Sequence, residues 1–279
     1  MTDNPVERHG PSHLGKTTNY IDKYDPSILD PIPRSLAREA LALGEVLPFT
    51  GVDRWTGYEL SWLNEKGKPV VALAEFEFPC SSPNIVESKS FKLYLNSFNQ
   101  TAIESTRALV DRLESDLSQA AGAPVLVHLM DMRQAMTLGV GHFAGVCLDE
   151  MDVYCDSYLP EPGLLRLVEG GAEVHETLYS DLLKSNCPVT GQPDWASIAI
   201  RYAGPAIDRT SLLQYIVSFR DHRDFHEHCV ERIFSDISER LKPRELTVYA
   251  RYTRRGGLDI NPFRTNCGDV PEELRLVRQ

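Results

Sequence analysis

The sequence predicts an α+β chain built from two copies of one strand–strand–helix–strand unit. Three observations carry this. Several short runs alternate apolar and polar residues at period two, longer runs keep a helical period, and the order of these runs returns once along the chain. At 279 residues, with 42% hydrophobic and 25% charged, the chain suits one large soluble domain or two ordinary ones.

Residues 1 to about 34 are rich in Asp, Pro, Asn and Ser, and Tyr24-Asp25-Pro26 reads as turns in an extended arm. Ser35 is placed to cap a helix through Leu36, Leu41 and Leu43. From Gly57, residues Tyr58, Leu60 and Trp62 alternate with polar ones, Gly67-Lys68-Pro69 turns, and Val70 to Phe78 resumes as the second arm of a β-hairpin. A loop of small residues leads into Val86 to Tyr94. A helix from near Asn99 then carries Ile103, Leu109, Val110, Leu113 and Leu117, and Val125 to Met130 is a third strand.

The second pass reads Trp195 to Tyr202, Asp208 to Phe219, a helix with Val230, Ile233, Phe234 and Ile237, and a strand from Leu246 to Tyr252. Laying Tyr94 on Tyr215 also lays Ser90 on Ser211, Ser97 on Ser218, Phe98 on Phe219 and Val127 on Val248. Residues 132 to 180 break the repeat and read as a connection plus an edge strand. Pairing the hairpin glycines, Gly67 with Gly191, sets Cys187 opposite Leu63, so only one copy has the thiol. Glu87-Ser88-Lys89 has Asp208-Arg209-Thr210 as its counterpart, as if each copy kept a different part of one site.

The net charge of −11 argues against a sequence-independent grip on nucleic acid, which needs clustered cations to displace counterions. Met1 to Lys16 has no apolar h-region and no run is long enough to span a bilayer, so neither a secretory signal nor a membrane segment is expected. The six cysteines lack a C-x-x-C pair and read as reduced thiols of a cytoplasmic protein. No metal is expected either: His222 and His226 stand at i, i+4, but no HExxH surrounds them.

Four stretches carry candidate chemistry. Cys187 sits in a loop rich in Pro, Gly and Asn, with Asp194 seven residues on, so thiol and carboxyl can meet across one turn; a cysteine is otherwise a small buried hydrophobe. Glu87-Ser88-Lys89-Ser90-Phe91-Lys92-Leu93-Tyr94 sets an acid, two hydroxyls and two lysines ahead of an aromatic, either a solvated helix start or edge strand, or a site for an anion and a polar ring. His226-Glu227 opens or lies early in the second helix. Arg251-Tyr252-Thr253-Arg254-Arg255-Gly256-Gly257 offers guanidinium forks and open backbone to a phosphate monoester. Gly139 to Gly145 misses the dinucleotide-binding spacing by one residue, so no Rossmann domain is expected.

Together Cys187 to Asp194, the octet from Glu87, Phe225-His226-Glu227 and Arg254 to Pro262 resemble the long, two-module form of the NADPH-dependent 7-cyano-7-deazaguanine reductases, the nitrile reductases of queuosine biosynthesis. The likeness runs from Leu14-Gly15-Lys16 almost to the C-terminus. It implies a tandem tunnelling fold (T-fold) of two ββααββ-type modules with antiparallel sheets. These would be an arm and helix over 1–45, a first module over 46–150 and a second over 151–279, assembled as a homodimer. It implies Cys187 as the nucleophile that forms a thioimide and Asp194 as the proton donor, its pKa raised by burial with Trp195 as an apolar wall. Val86, Glu87, Ser88, His226 and Glu227 are then expected to bind the 7-deazapurine nitrile, and Ser88, Lys89, Arg255 and Gly256 the NADPH. The residues by themselves also allow a cysteine hydrolase using Cys187, His226 and Asp194, or a purine-binding module without catalysis.

Overall fold

The computed structural model describes residues 20–137 and 139–279; the Leu14-Gly15-Lys16 arm lies outside them. Two compact units emerge. Of the described residues, the first comprises those up to Ala40, Val52–Gly139 and Arg254–Ile260, and the second Leu41–Gly51, Val140–Thr253 and Asn261–Gln279.

In the first unit, β1 (Pro31–Pro33) and α1 (Ser35–Ala40) precede the long hairpin of β2 (Thr50–Leu63) and β3 (Pro69–Pro79). Ser35 lies inside α1, and the helix stops short of Leu41 and Leu43. The hairpin turn is closed by Asn64, whose Oδ1 accepts from Lys66 and Lys68 N–H at 3.0 and 2.9 Å, with Gly67 at φ +74. Then come β4 (Asn84–Val86), α2 (Ser88–Asn96), α3 (Thr106–Ala121), β5 (Leu126–Met130) and α4 (Met132–Ala135). Ser105 caps α3 through its hydroxyl and Gly122, at φ +74, ends it, so the helix begins well after Asn99. Its Leu109, Leu113 and Leu117 bury with Phe91 and Tyr94 of α2 against Trp55, Phe76 and Phe78 of the hairpin. β5 pairs with β3, Val127 opposite Phe76. After Met130 the chain enters α4 because Asp131 and Gln134 form a capping box.

The second unit contains β6 (Val140–Gly141), β7 (Val146–Cys147), β8 (Glu173–Asn186), β9 (Pro193–Pro205), α5 (Arg209–Val217), α6 (His226–Leu241), β10 (Glu245–Tyr252), most of β11 (Leu258–Thr265) and β12 (Arg275–Leu276). β8, β9, β10 and β11 pair antiparallel in that order, and β7 adds a parallel edge to β8. α6 lays Val230, Ile233, Phe234 and Ile237 on the sheet, and its Glu231 meets Arg264 of β11 in a fully buried ion pair at 2.9 Å. Gly51, at φ +143, belongs here: a side chain on it would come within 2.0 Å of the Phe263 carbonyl oxygen. Among the described residues no helix is long and apolar enough to cross a membrane.

The repeat holds atom by atom. Tyr94 donates to Asp116 and Tyr215 to Asp236, both at 2.6 Å. Ser90 and Ser211 hydroxyls donate to the carbonyls of Glu87 and Asp208 at 2.7 and 2.8 Å. Each long hairpin has a bulge at the same place, between Gly57 and Leu60 and between Ser180 and Leu183. The segment that breaks the repeat in sequence continues it in structure. The 3₁₀ turn Pro162–Leu164, capped by Glu161, repeats Pro26–Ile28, capped by Asp25, and the Leu167–Ile207 bridge repeats the Pro31–Val86 pair.

One alignment needs correcting. Leu63 N–H donates to the Thr101 carbonyl, and it is Asn186 that donates correspondingly, to His222. Cys187 therefore stands where the first unit has Asn64: Cys187 N–H donates to Gln192 O as Asn64 does to Lys68 O. The second turn is one residue longer, so counting back from its glycine misplaces the thiol by one.

The Tyr–Asp bonds are interior supports of each copy. Tyr215→Phe should lower stability by about 1–3 kcal/mol in urea unfolding, since Asp236 keeps a buried oxygen without its donor.

Candidate functional site

Antiparallel pairing of β8 with β9 sets Ser185 opposite Asp194 and Asn186 opposite Pro193. The strands then part into a turn closed at both ends by Cys187, whose N–H donates to Gln192 O at 2.8 Å and whose carbonyl accepts from Gly191 N–H at 3.0 Å. Gly191 takes φ +67, a left-handed value that favours glycine. Cys187 is 9% exposed and Asp194 4%. Thiol and carboxyl thus stand at one end of one hairpin.

His226 opens α6, and its Nε2 lies 3.4 Å from Asp194 Oδ2. Its ring stacks on Tyr252 of β10 at 3.8 Å and 19°. Tyr252 and Cys229 are fully buried; burial, reinforced by neighbouring negative charge, pushes both well up, so they stay neutral beneath the Asp194–His226 pair. Trp195 supplies no wall. Strand alternation turns it to the opposite face, where it is 38% exposed under the Arg220 guanidinium. Asp194 instead lies on the buried face, against His226, and its charge is among the causes that raise Tyr252 and Cys229.

Glu227 follows, buried on the second position of α6. Next to it lies a cluster that the motif reading missed: Asp224 Oδ1 accepts from Phe225 N–H at 2.8 Å and meets His228 Nδ1 at 3.0 Å, with His222 Nε2 3.7 Å from the other oxygen. Burial opposes charge on Asp224 and His228, but each outweighs it for the other, so the Asp224 carboxyl is held well below the usual range and the His228 imidazole is raised. The i, i+4 spacing of Asp224 and His228 was the available signal.

In the first unit Glu87 is the N-cap of α2. Its carboxylate accepts from Lys89 and Ser90 N–H at 2.9 and 2.8 Å and is 1% exposed. Burial pushes its pKa up against the pull of those bonds and of Lys92. Val86 is buried at the end of β4, and the Ser88 hydroxyl lies 3.5 Å from Glu87 Oε1. Arg255 and Gly256 form a turn in which Arg255 N–H donates to Leu258 O at 2.9 Å, with Gly256 and Gly257 at φ +60 and +78. A side chain on Gly256 would meet Lys92 Cδ at 3.3 Å, so the stem of the octet's second lysine lies against this turn. A side chain on Gly257 would meet Glu59 Cγ at 3.1 Å, so both glycines are covered by side-chain stems, and the suitability for a phosphate group rests on the cations Arg255 and Lys92. Arg251 does not belong to it: its Nε donates to Gln279 Oε1 at 2.5 Å and its Nη1 to Tyr249 at 2.7 Å, in the interior of the second unit.

Cys187, Asp194, His226 and Glu227 thus fall in the second unit, and Val86, Glu87, Ser88, Lys89, Arg255 and Gly256 in the first.

Residues 20–129 match the family described as nitrile reductase, 7-cyano-7-deazaguanine-reductase N-term, and residues 193–270 that described as QueF-like protein. The NADPH-dependent 7-cyano-7-deazaguanine reductase of Bordetella pertussis is 58% identical over 95% of this chain and 97% of its own length. Enzymes of the same name from Dechloromonas aromatica and Burkholderia multivorans are 56% and 57% identical over 96% of this chain and 96% and 98% of theirs.

The Asp224–His228 pair has a pH signature. The lowered carboxyl stabilises the fold above its unfolded pKa of about 4, and the raised imidazole stabilises it below its unfolded pKa of about 6.5, fading as pH rises through the folded value. Asp224→Asn should therefore cost about 3 kcal/mol near pH 5.5 and clearly less near pH 9, read by urea unfolding at both.

Proposed function

The chain belongs to the 7-cyano-7-deazaguanine reductase family, and we propose that it reduces the nitrile of 7-cyano-7-deazaguanine to the aminomethyl group of 7-aminomethyl-7-deazaguanine, with NADPH as reductant, in queuosine biosynthesis. The observation that carries the reading is Cys187 at the end of a hairpin whose next strand holds a buried Asp194 against His226.

A nitrile carbon is a poor hydride acceptor. Cys187 adds to it as thiolate, forming a C–S bond and opening one π bond of the C≡N group, and Asp194 gives its proton to the nitrile nitrogen as charge builds there. Cys187 then holds a thioimide. His226 keeps the Asp194 carboxyl oriented through the contact at Nε2. Ser88, Lys89, Arg255 and Gly256 would hold NADPH, which when bound would supply one hydride per molecule, so that two molecules are consumed over the two reductions. Cys187 departs as thiolate once its carbon is tetrahedral, which clears the carbon for the second reduction. Glu87, with Val86 and Ser88 beside it, and Glu227, with His226 beside it, are each a carboxylate able to accept ring N–H groups of a deazaguanine.

On the same reading the chain is a tandem T-fold, with an arm over 1–45 and modules over 46–150 and 151–279, working as a cytoplasmic homodimer. Cys187, His226 and Asp194 would also serve thioester hydrolysis, but family membership favours reduction.

NADPH consumption on adding the nitrile is the direct test. Cys187→Ala should abolish it, and Asp194→Asn should slow it about 10²- to 10⁴-fold while the nitrile still binds; normal turnover in either variant removes that residue from its role. Glu87 must be ionised to accept ring N–H groups, and its pKa is raised. Affinity for the nitrile should thus fall with falling pH at a value above that of an ordinary glutamate, and Glu87→Gln should remove this dependence in binding calorimetry.

A further inference from the structure

Asn186, the residue before Cys187, is tied to the segment that leads into α6 by backbone and side chain together. Its N–H donates to the His222 carbonyl at 2.8 Å and its carbonyl accepts from Asp224 N–H at 3.2 Å. The side-chain amide donates to the carbonyls of Arg220 and His222 at 3.2 and 3.1 Å. Its oxygen accepts from Lys184 Nζ at 2.8 Å, and the same ammonium donates to Arg220 O at 2.5 Å. The side chain spends both donors and its acceptor on this one junction.

The first unit shows which part of this the fold itself needs. There Leu63 makes the same two backbone bonds, from its N–H to Thr101 O at 3.0 Å and to its carbonyl from Ile103 N–H at 2.9 Å, with an apolar side chain in place of the amide. Backbone pairing alone therefore joins this strand end to the segment before the helix. The copy that adds the amide and Lys184 is the one with a thiol at the next position, where the other has Asn64.

We propose that Asn186, with Lys184 on its oxygen, is a positioning residue that fixes Cys187 relative to the start of α6 and so to His226; this rests on Cys187 being the nucleophile. α6 is held independently by Val230, Ile233, Phe234 and Ile237 in the core and by the Glu231–Arg264 pair. Release of the amide clamp therefore moves the thiol and leaves the helix in place. Misplacement of a reacting group by about 1 Å costs on the order of 10²-fold in rate.

Two variants separate the amide from the fold. Asn186→Leu installs the side chain of the first unit, and Asn186→Asp keeps an acceptor for Lys184 while losing both donations. Thermal unfolding identifies whichever variant is folded at the assay temperature. In it, addition of 7-cyano-7-deazaguanine to Cys187, followed by intact mass, should slow about 10²-fold, while nitrile affinity measured in a Cys187→Ala background changes by less than about twofold. Alkylation of Cys187 by iodoacetamide, which needs neither nitrile nor cofactor, should become faster as the thiol leaves its seat. Parental adduct rates in a folded variant, or affinity that falls in step with rate, would overturn the proposal. If the unsubstituted protein forms no adduct, the reductase reading fails instead. Alkylation then decides alone, and an unchanged rate in both variants refutes the clamp.

Discussion

The register of one antiparallel pair governs the chemistry of the second unit. Because β8 and β9 meet with Ser185 opposite Asp194, the Asp194 carboxyl faces the helices, and the chain turns at Cys187 two residues beyond Ser185. A slip of one residue would exchange Asp194 with Trp195, moving the carboxyl to the exposed face and leaving His226 without it. The bulge between Ser180 and Leu183 and the closed turn from Cys187 to Gln192 hold that register from both ends. The sequence separation of thiol and acid becomes spatial proximity through this pairing alone.

The two copies separate what folding requires from what chemistry requires. Both keep the Tyr–Asp bond between helices, the serine hydroxyl on the first-turn carbonyl, the acidic N-cap and the bulged hairpin. They diverge at the hairpin turn. In the first unit Asn64 folds its side chain back onto Lys66 and Lys68 N–H groups and completes a tight loop. In the second, the turn has an additional residue and contains Pro188, and the position of that asparagine holds a thiol. Within the second unit charge is divided as well: Tyr252 and Cys229 stay neutral next to the Asp194–His226 pair, while Asp224 and His228, which flank Glu227 in sequence, form an ionised pair.

Much of this was legible in the residues because caps and helix faces are local. Tyr94 with Tyr215 and Ser90 with Ser211 aligned the copies since each serine bonds a carbonyl three residues back and each tyrosine an acid on the next α-helix. The repeated arm was harder to read. Asp25-Pro26 and Glu161-Pro162 share only an acid before a proline, and their equivalence rests on bonds to distant serines, Asp30 N–H to Ser90 and Arg166 N–H to Ser211. The pairing of Cys187 with Leu63 failed because an insertion inside a turn is invisible to a glycine-to-glycine count. Arg251 looked like part of a phosphate-binding cluster because its partner, Gln279, is remote in sequence. Trp195 was the avoidable error, since period-two alternation already puts it on the face opposite Asp194.

The account stands on Cys187 as a nucleophile toward a nitrile. Its most direct measurement is the intact mass of the protein incubated with 7-cyano-7-deazaguanine in the absence of NADPH, with peptide mapping of the product. Addition predicts a gain of the whole nitrile, no atoms lost, located on Cys187. An unchanged mass under conditions where the nitrile is demonstrably bound would contradict it.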